Sequence, residues 1–315
     1  MRIVFFGCDD FAVVNLKRLV AEGHTIAALV TQPDKPKGRG LHTVYSPTKA
    51  LALQLSVEVI QPVDLKDPAV VSQLRSYNAD VFVVVAYGKF LPEAVLKLPQ
   101  YFCVNVHPSL LPRYRGAAPV NWAVINGDRE TGVTLIKMDT AMDGGDILAQ
   151  EKYPLSAAMN SAVLREQLAV LGADMLARVL PSIPEGRFTL LKQDGSLATR
   201  APKLPKELGH IQWGWPAEKI YDLVRGTQPW PGAYTFLKGA LLKILEVVPV
   251  EPGVAGGPAA AARAGEIIEL HKDGFSVQAG DRALLIKRVH PAGGKPMDAR
   301  QFLAGHKLQA GDILG

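Results

Sequence analysis

Residues 80–87 read DVFVVVAY. A run that is apolar throughout, with no alternation, is the pattern of a strand covered on both faces, as in the middle of a parallel sheet. The flanking chain supports this. Upstream lie an apolar strand RIVFF at 2–6, a helix opened by Gly7 and Asp9 or Asp10 and running to Glu22, and a strand TIAALVT at 25–31. A helix from Ser46-Pro47 over 47–55, a strand VEVIQ and a helix opened by Asp67-Pro68 follow. Downstream, LPEAVLKL at 91–98 reads as a helix and 102–107 as a strand. Strands and helices alternating without a long insertion predict an α/β domain built on a doubly wound, mostly parallel sheet. The turn GCDDFA lacks the spacing of a GxGxxG fingerprint, so dinucleotide binding is not expected.

In such a sheet, ligands bind beyond the carboxyl ends of the strands. The stretch FCVNVHPSLLPRYRGAAP, 102–119, begins as an apolar strand, meets Asn105 and His107, and breaks at Pro108 and Pro112. Two residues apart on a strand, Asn105 and His107 share a face, and an amide and an imidazole can both donate to one oxygen. That suits stabilising the oxyanion of a tetrahedral intermediate. The acidic turn MDGGDIL, 142–148, supplies Asp143, which near His107 could keep the ring charged and take a proton from an attacking amine. A lone histidine at a strand end is more often structural. Two polar groups on one face of an apolar strand are harder to dismiss, because each costs roughly 1–3 kcal/mol to bury unpaired. Asp146 is expected to brace the turn rather than react.

The chain has 315 residues, 48% of them apolar and 21% charged, enough for two folded domains. Only Cys8 and Cys103 are present, so neither a disulfide framework nor a CxxC site is expected, and a reducing cytoplasm fits. The seven histidines form no HxxxH or HExxH pair, and no metal site is expected. No run reaches the ~20 apolar residues of a membrane span, and MRIVFFGCDDFA lacks the features of a signal peptide. A soluble monomer is expected.

After strand 131–139 and strand 147–155, an amphipathic helix carries Leu164, Leu168, Leu171, Met175 and Val179 on one stripe and ends at Pro181. Composition then turns basic and polar, which places a catalytic domain at 1–186, a linker at 187–206 and a second domain at 207–315. The second domain opens on a helix at 216–226 and continues in short strands with glycine turns, the pattern of a small closed β-barrel. Within it, PGVAGGPAAAARA at 252–264 reads as a low-complexity loop. Net charge is +5, with basic residues gathered at Lys35, Lys37 and Arg39 in a Pro- and Gly-rich loop and at Arg200, Lys203 and Lys206 in the linker. These could contact nucleic-acid phosphates or simply solvate loops.

The string NVHPSLLPRYRGAAP, followed by NGDRETGVTLIKMD and DGGDIL, resembles the formyltransferases that use 10-formyltetrahydrofolate, most of all those acting on methionyl-tRNA. APKLPKELGHIQW, QPWPGAYT and PAGGKPM extend the likeness through the second half. The resemblance implies a Rossmann-like formyltransferase domain followed by an OB-like barrel that binds tRNA. It also implies Asn105, His107 and Asp143 as the catalytic trio, with 10-formyltetrahydrofolate as formyl donor. Tyr87, Gly88, Ser109, Leu110, Leu111 and Pro112 would border the folate pocket, and the loop with Lys35, Lys37 and Arg39 would reach the acceptor stem of initiator methionyl-tRNA. One departure stands out: the family usually reads G-T-P-x-F-A where this chain has Cys8 and Asp9. The rivals are a formyltransferase of the same fold acting on a small amine, such as a nucleotide-linked amino sugar, and a non-catalytic RNA- or folate-binding protein.

Overall fold

The computed structural model describes residues 1–37, 42–250 and 262–315. Arg39 of the basic loop and residues 252–261 of the low-complexity stretch therefore lie outside the described residues. The chain divides into two compact units. The first comprises Met1–Pro119, Glu130–Pro154 and Leu164–Pro202, and the second Val120–Arg129, Leu155–Val163 and Lys203–Gly315.

The first unit follows the pattern expected from its sequence. In chain order it contains β1 (Arg2–Gly7), α1 (Asp10–Ala21), β2 (Thr25–Val30), β3 (Lys35–Lys37), β4 (His42–Val44), α2 (Pro47–Gln54), β5 (Val59–Ile60) and α3 (Pro68–Ser76). Then come β6 (Val81–Val85), α4 (Glu93–Leu96) and β7 (Cys103–His107). Between α5 (Pro119–Ile125) and α6 (Ser161–Val179) lie β8 (Glu130–Lys137) and β9 (Ile147–Pro154). The sheet runs β5-β2-β1-β6-β7-β8-β9. Its first five strands are parallel, and β8 and β9 add antiparallel. Three helix starts are capped as their residue types dictate: Asp9 accepts from Ala12 N, Ser46 from Lys49 N and Asp67 from Ala69 N. The stretch between β2 and α2, read as a loop, contains the antiparallel pair β3 and β4.

Every residue of β6 is buried, as a central parallel strand requires. On one face Phe6, Phe82 and Tyr87 pack ring to ring, at centroid distances of 5.3 and 5.4 Å from Phe6. Against β7, α6 comes close enough that a Cβ on Gly172 would stand 2.7 Å from Val106 Cγ1, so only glycine fits there. The buried stripe of α6 includes Leu164, Leu168 and Met175 as expected, but Leu171 and Val179 are half-buried. Ala169, Ala173 and Leu176 fill the face instead.

The departure at Cys8 and Asp9 has a local account. The Cys8 thiol donates to the Tyr87 carbonyl and accepts from Gln32 N and Thr31 Oγ1, each at 3.4 Å, so it ties the ends of β1, β2 and β6 together. Asp9, besides capping α1, pairs with Arg165 at 2.5 Å.

The second unit contains α7 (Ala217–Gly226), β10 (Ala233–Leu237), β11 (Ala240–Pro249), β12 (Ile267–His271), β13 (Gly274–Gln278), β14 (Ala283–Pro291), β15 (Met297–Asp298) and α8 (Ala299–Gly305). The antiparallel order is β10-β11-β14-β13-β12, with β15 beside β14. The chain's last residues join the two outer strands, since Leu314 bridges Leu237 of β10 while Ile313 bridges Glu266 just before β12. Sharing one short segment between both edges curls the sheet towards a closed barrel and leaves fewer unpaired edge groups. Its core is Trp213, Ile220, Leu223, Phe275, Leu284, Ile286 and Phe302, with Trp213 Nε1 donating to Thr235 Oγ1 at 3.0 Å. Two segments from earlier in the chain are held in this unit by polar bonds. Asn121 Nδ2 and Ser161 Oγ both donate to the Gly226 carbonyl (2.8 and 3.0 Å), and Tyr221 donates to the Ala157 carbonyl at 2.8 Å.

Candidate active site

β7 ends at the carboxyl edge of the parallel strands, and His107 is its last residue. Thr134 of β8 lies opposite His107, and Gln150 of β9 lies opposite Thr134. The chain then turns back over this row. Ser109 N donates to the His107 carbonyl at 2.9 Å, and Ser109 Oγ to the Arg113 carbonyl at 2.7 Å. Thr134 Oγ1 donates to the Ser109 carbonyl (2.6 Å) while accepting from Leu111 N (3.1 Å) and Gln150 Nε2 (2.8 Å). Gln150 Nε2 also reaches the Leu111 carbonyl at 2.9 Å. The 109–112 turn is therefore bolted to β8 and β9, with Ser109 and Leu111 buried and Leu110 and Pro112 half-buried. Thr134→Val keeps the shape of the side chain but strands several buried partners. It is expected to lower stability by roughly 1–3 kcal/mol in denaturant unfolding, and an unchanged midpoint would contradict that account.

His107 is 4% exposed, and each of its ring nitrogens has a defined neighbour. Nε2 lies 2.9 Å from the Tyr114 carbonyl oxygen, which can only accept, so Nε2 carries a proton. Nδ1 faces Asp143 Oδ1 at 3.6 Å. With Nε2 spent on the carbonyl, Nδ1 can donate only when the ring is protonated, and the Asp143 carboxylate is the counter-charge for that form. Asp143 Oδ2 accepts from Gly116 N at 2.8 Å. At Gly116 φ is +126°, and a Cβ would stand 2.6 Å from the Ala201 carbonyl oxygen, so this donor position needs glycine. Asn105, one pleat back from His107, is half-buried, and its amide has no hydrogen-bond partner among the described residues. An uncommitted amide beside a fixed imidazole and a carboxylate offers donors to a developing negative charge and a base for a proton. It also suits the carbonyl of a formyl donor.

Tyr114 and Asp143 both have left-handed backbone, with φ of +62° and +48°. Both are held by the stretch expected as a free basic linker. Thr199 Oγ1 accepts from Tyr114 N at 2.8 Å and the Thr199 carbonyl from Arg115 N at 2.8 Å. Ala201 N donates to the Arg115 carbonyl at 2.7 Å. Gln193 Nε2 donates to the carbonyls of Asp143 (2.8 Å) and Gly145 (2.7 Å), and its Oε1 accepts from Arg115 Nε and Nη2 (3.1 and 2.7 Å). Asp146 braces the turn through its carbonyl, which accepts from Lys137 N at 2.9 Å, rather than through its carboxylate.

The residues expected to border a folate pocket divide. Ser109 to Pro112 stand at the site, and Gly88 is exposed three residues beyond the end of β6. Tyr87 is turned inward: its ring is 1% exposed against Phe6, its hydroxyl has no partner among the described residues, and burial pushes the phenol up to about 12. Lys35 and Lys37 fall on β3, while Arg200, Lys203 and Lys206 are exposed. Among the described residues no acid, histidine and cysteine cluster could hold a metal ion, and no helix is long and apolar enough to cross a membrane. Sequence reading missed Thr134, Gln150, Gln193 and Thr199. Their roles come from register and from contacts between distant segments, which leave no local signal.

Residues 1–180 match the formyl transferase family, and 203–307 the formyl transferase C-terminal domain. The methionyl-tRNA formyltransferase of Caldanaerobacter subterraneus subsp. tengcongensis is 45% identical over 315 residues, all of both chains. That of Moorella thermoacetica is 45% identical over 315 residues, covering 100% of this chain and 99% of its own. The chain belongs to the methionyl-tRNA formyltransferase family. Its fold also recurs in solved structures at lower identity. HypX from Aquifex aeolicus in complex with tetrahydrofolic acid superposes with a TM-score of 0.67 at 17% identity, over 99% of this chain and 50% of that one. The sugar 3N-formyl transferase WlaRD superposes with a TM-score of 0.66 at 17% identity, over 91% and 97%. Formyl transfer is thus the chemistry of the family, and the C-terminal match falls wholly within the second unit, while the N-terminal match takes in most of the first unit together with the 120–129 and 155–163 segments of the second.

Proposed function

We propose that this protein transfers the formyl group of 10-formyltetrahydrofolate to the amino group of methionine on initiator methionyl-tRNA, giving N-formylmethionyl-tRNA for translation initiation in the cytoplasm. The observation that carries the reading is His107, held between the Tyr114 carbonyl and Asp143, with the uncommitted Asn105 amide beside it at the carboxyl edge of the sheet. The formyl donor supplies an activated carbonyl carbon, to which the amine's lone pair adds. Asn105 donates to the oxygen as it gains charge, and protonated His107 donates from Nδ1 to the same region. Asp143 takes the proton that the attacking nitrogen releases, and that proton leaves with the departing folate nitrogen as the old C–N bond breaks. No covalent enzyme intermediate is required.

In this reading residues 1–186 carry the chemistry, and the basic stretch with the barrel domain helps hold the tRNA. Lys35, Lys37 and Arg39, with Arg200, Lys203 and Lys206, would pair with phosphates. The 109–112 turn, braced by Thr134 and Gln150, would form a wall of the folate pocket.

The test is a transfer assay with 10-formyltetrahydrofolate and methionyl initiator tRNA, run beside free methionine. Changing Lys35, Lys37 and Arg39 together to Ala is expected to lower kcat/KM for tRNA about 10- to 100-fold and to flatten its salt dependence. An unchanged value removes the tRNA role of that segment but keeps the enzyme. Folate binding without any formylation of tRNA moves the reading to a small-amine formyltransferase.

A further inference from the structure

The Asp143 carboxylate is aimed by a closed ring of hydrogen bonds that passes through a residue 50 positions away. Asp143 sits at φ +48°, a conformation that is costly for an L residue and persists only where the surroundings hold it. Gln193 supplies that hold. Its Nε2 group bonds the carbonyls on both sides of Gly144, and its Oε1 is taken twice by the Arg115 guanidinium. The amide can face only one way. Reversed, it would set NH2 against the cation and oxygen against two carbonyls. Arg115 is followed by Gly116, whose N–H binds Asp143 Oδ2, so the ring returns to the residue where it began. Backbone and one carboxylate oxygen are both fixed, and Oδ1 is left pointing at His107 Nδ1.

From this geometry we infer that Gln193 is a positioning residue for formyl transfer, holding the 143–145 turn so that Asp143 meets His107. The inference rests on the reading of Asp143 as the proton acceptor. A simple tether is a poorer account, because the same segment is already anchored on both sides of Gln193. Leu191 exchanges two backbone bonds with Ile147 (2.8 and 2.9 Å), and Thr199 and Ala201 bond Arg115. What Gln193 adds is the link between the 143–145 turn and the Arg115 guanidinium.

The experiment uses the full chain with Gln193→Met, a neutral side chain of similar length, and Gln193→Glu, which still accepts from Arg115 but cannot donate. Both are expected to lower kcat about 10- to 100-fold, with KM for either substrate changed by less than about threefold and the unfolding midpoint close to wild type. Hydrogen exchange of the peptide containing Gly116 is expected to speed up, reporting that the carboxylate has moved. Wild-type kcat in Gln193→Glu, or a rise in KM alone, overturns the inference. Asp143→Ala and its combination with Gln193→Met separate the two claims, the pair being expected to run no slower than Asp143→Ala alone. If Asp143→Ala abolishes turnover while Gln193→Met leaves both turnover and Gly116 exchange unchanged, positioning fails and the catalytic reading stands. If Asp143→Ala is fully active, the catalytic reading fails, and Gly116 exchange still decides whether Gln193 fixes the turn.

Discussion

Asn105→Ala is expected to lower the turnover of formyl transfer on the order of 10²- to 10³-fold, the range for loss of a single oxyanion donor. The size of the effect follows from what the side chain lacks. Its amide has no partner within the described protein, so truncation breaks no bond in the resting fold and stability should change little. The loss appears only when an oxygen acquires charge, which makes it a change in kcat rather than in KM. Asn105→Asp should be at least as damaging, because a carboxylate of the same shape offers an acceptor, and usually a charge, where a donor is needed. Single-turnover rates with saturating donor and tRNA check both. A rate near wild type in Asn105→Ala would falsify the oxyanion role.

Asp143→Asn carries the second large effect, a fall of about 10²- to 10⁴-fold in turnover. This substitution isolates the charge. Asparagine tolerates the left-handed conformation at least as well as aspartate, and its side-chain oxygen can still accept from Gly116 N, so the turn should survive. Two things vanish: the base for the amine's proton and the counter-charge 3.6 Å from His107 Nδ1. Turnover measured beside the unfolding midpoint distinguishes lost chemistry from lost structure. Retained turnover would mean that solvent or another group takes the proton.

Much of this architecture is written locally. The β6 run VFVVV, buried along its whole length, can sit only inside a two-faced sheet, and the caps at Asp9, Ser46 and Asp67 are readable because each acts within three residues of itself. Asn105 and His107 could be paired from the two-residue repeat of a strand, and their place at a strand end could be read from the prolines that follow. The spacing of NVHPSLLP and DGGDIL carried the family likeness, since a long string with several rare choices is informative even before any contact is known.

What stayed hidden depends on contacts between segments far apart in the chain. Which nitrogen of His107 faces Asp143 was decided by the Tyr114 carbonyl, a backbone atom with no residue signature. The basic stretch 187–206 looked like a linker because polar composition says nothing about backbone pairing, yet Gln193 and Thr199 within it hold the residues on either side of His107. Tyr87, next to a left-handed Ala86, turned its ring into the core against Phe6. The barrel gains its closing contact from residues 313 and 314, whose two bridges depend on β10 and β12 already being in place. Periodicity and capping act over a few residues and survive in the one-dimensional string. The aim of the Asp143 carboxylate is set by hydrogen bonds that exist only once remote backbone has been brought within 3 Å.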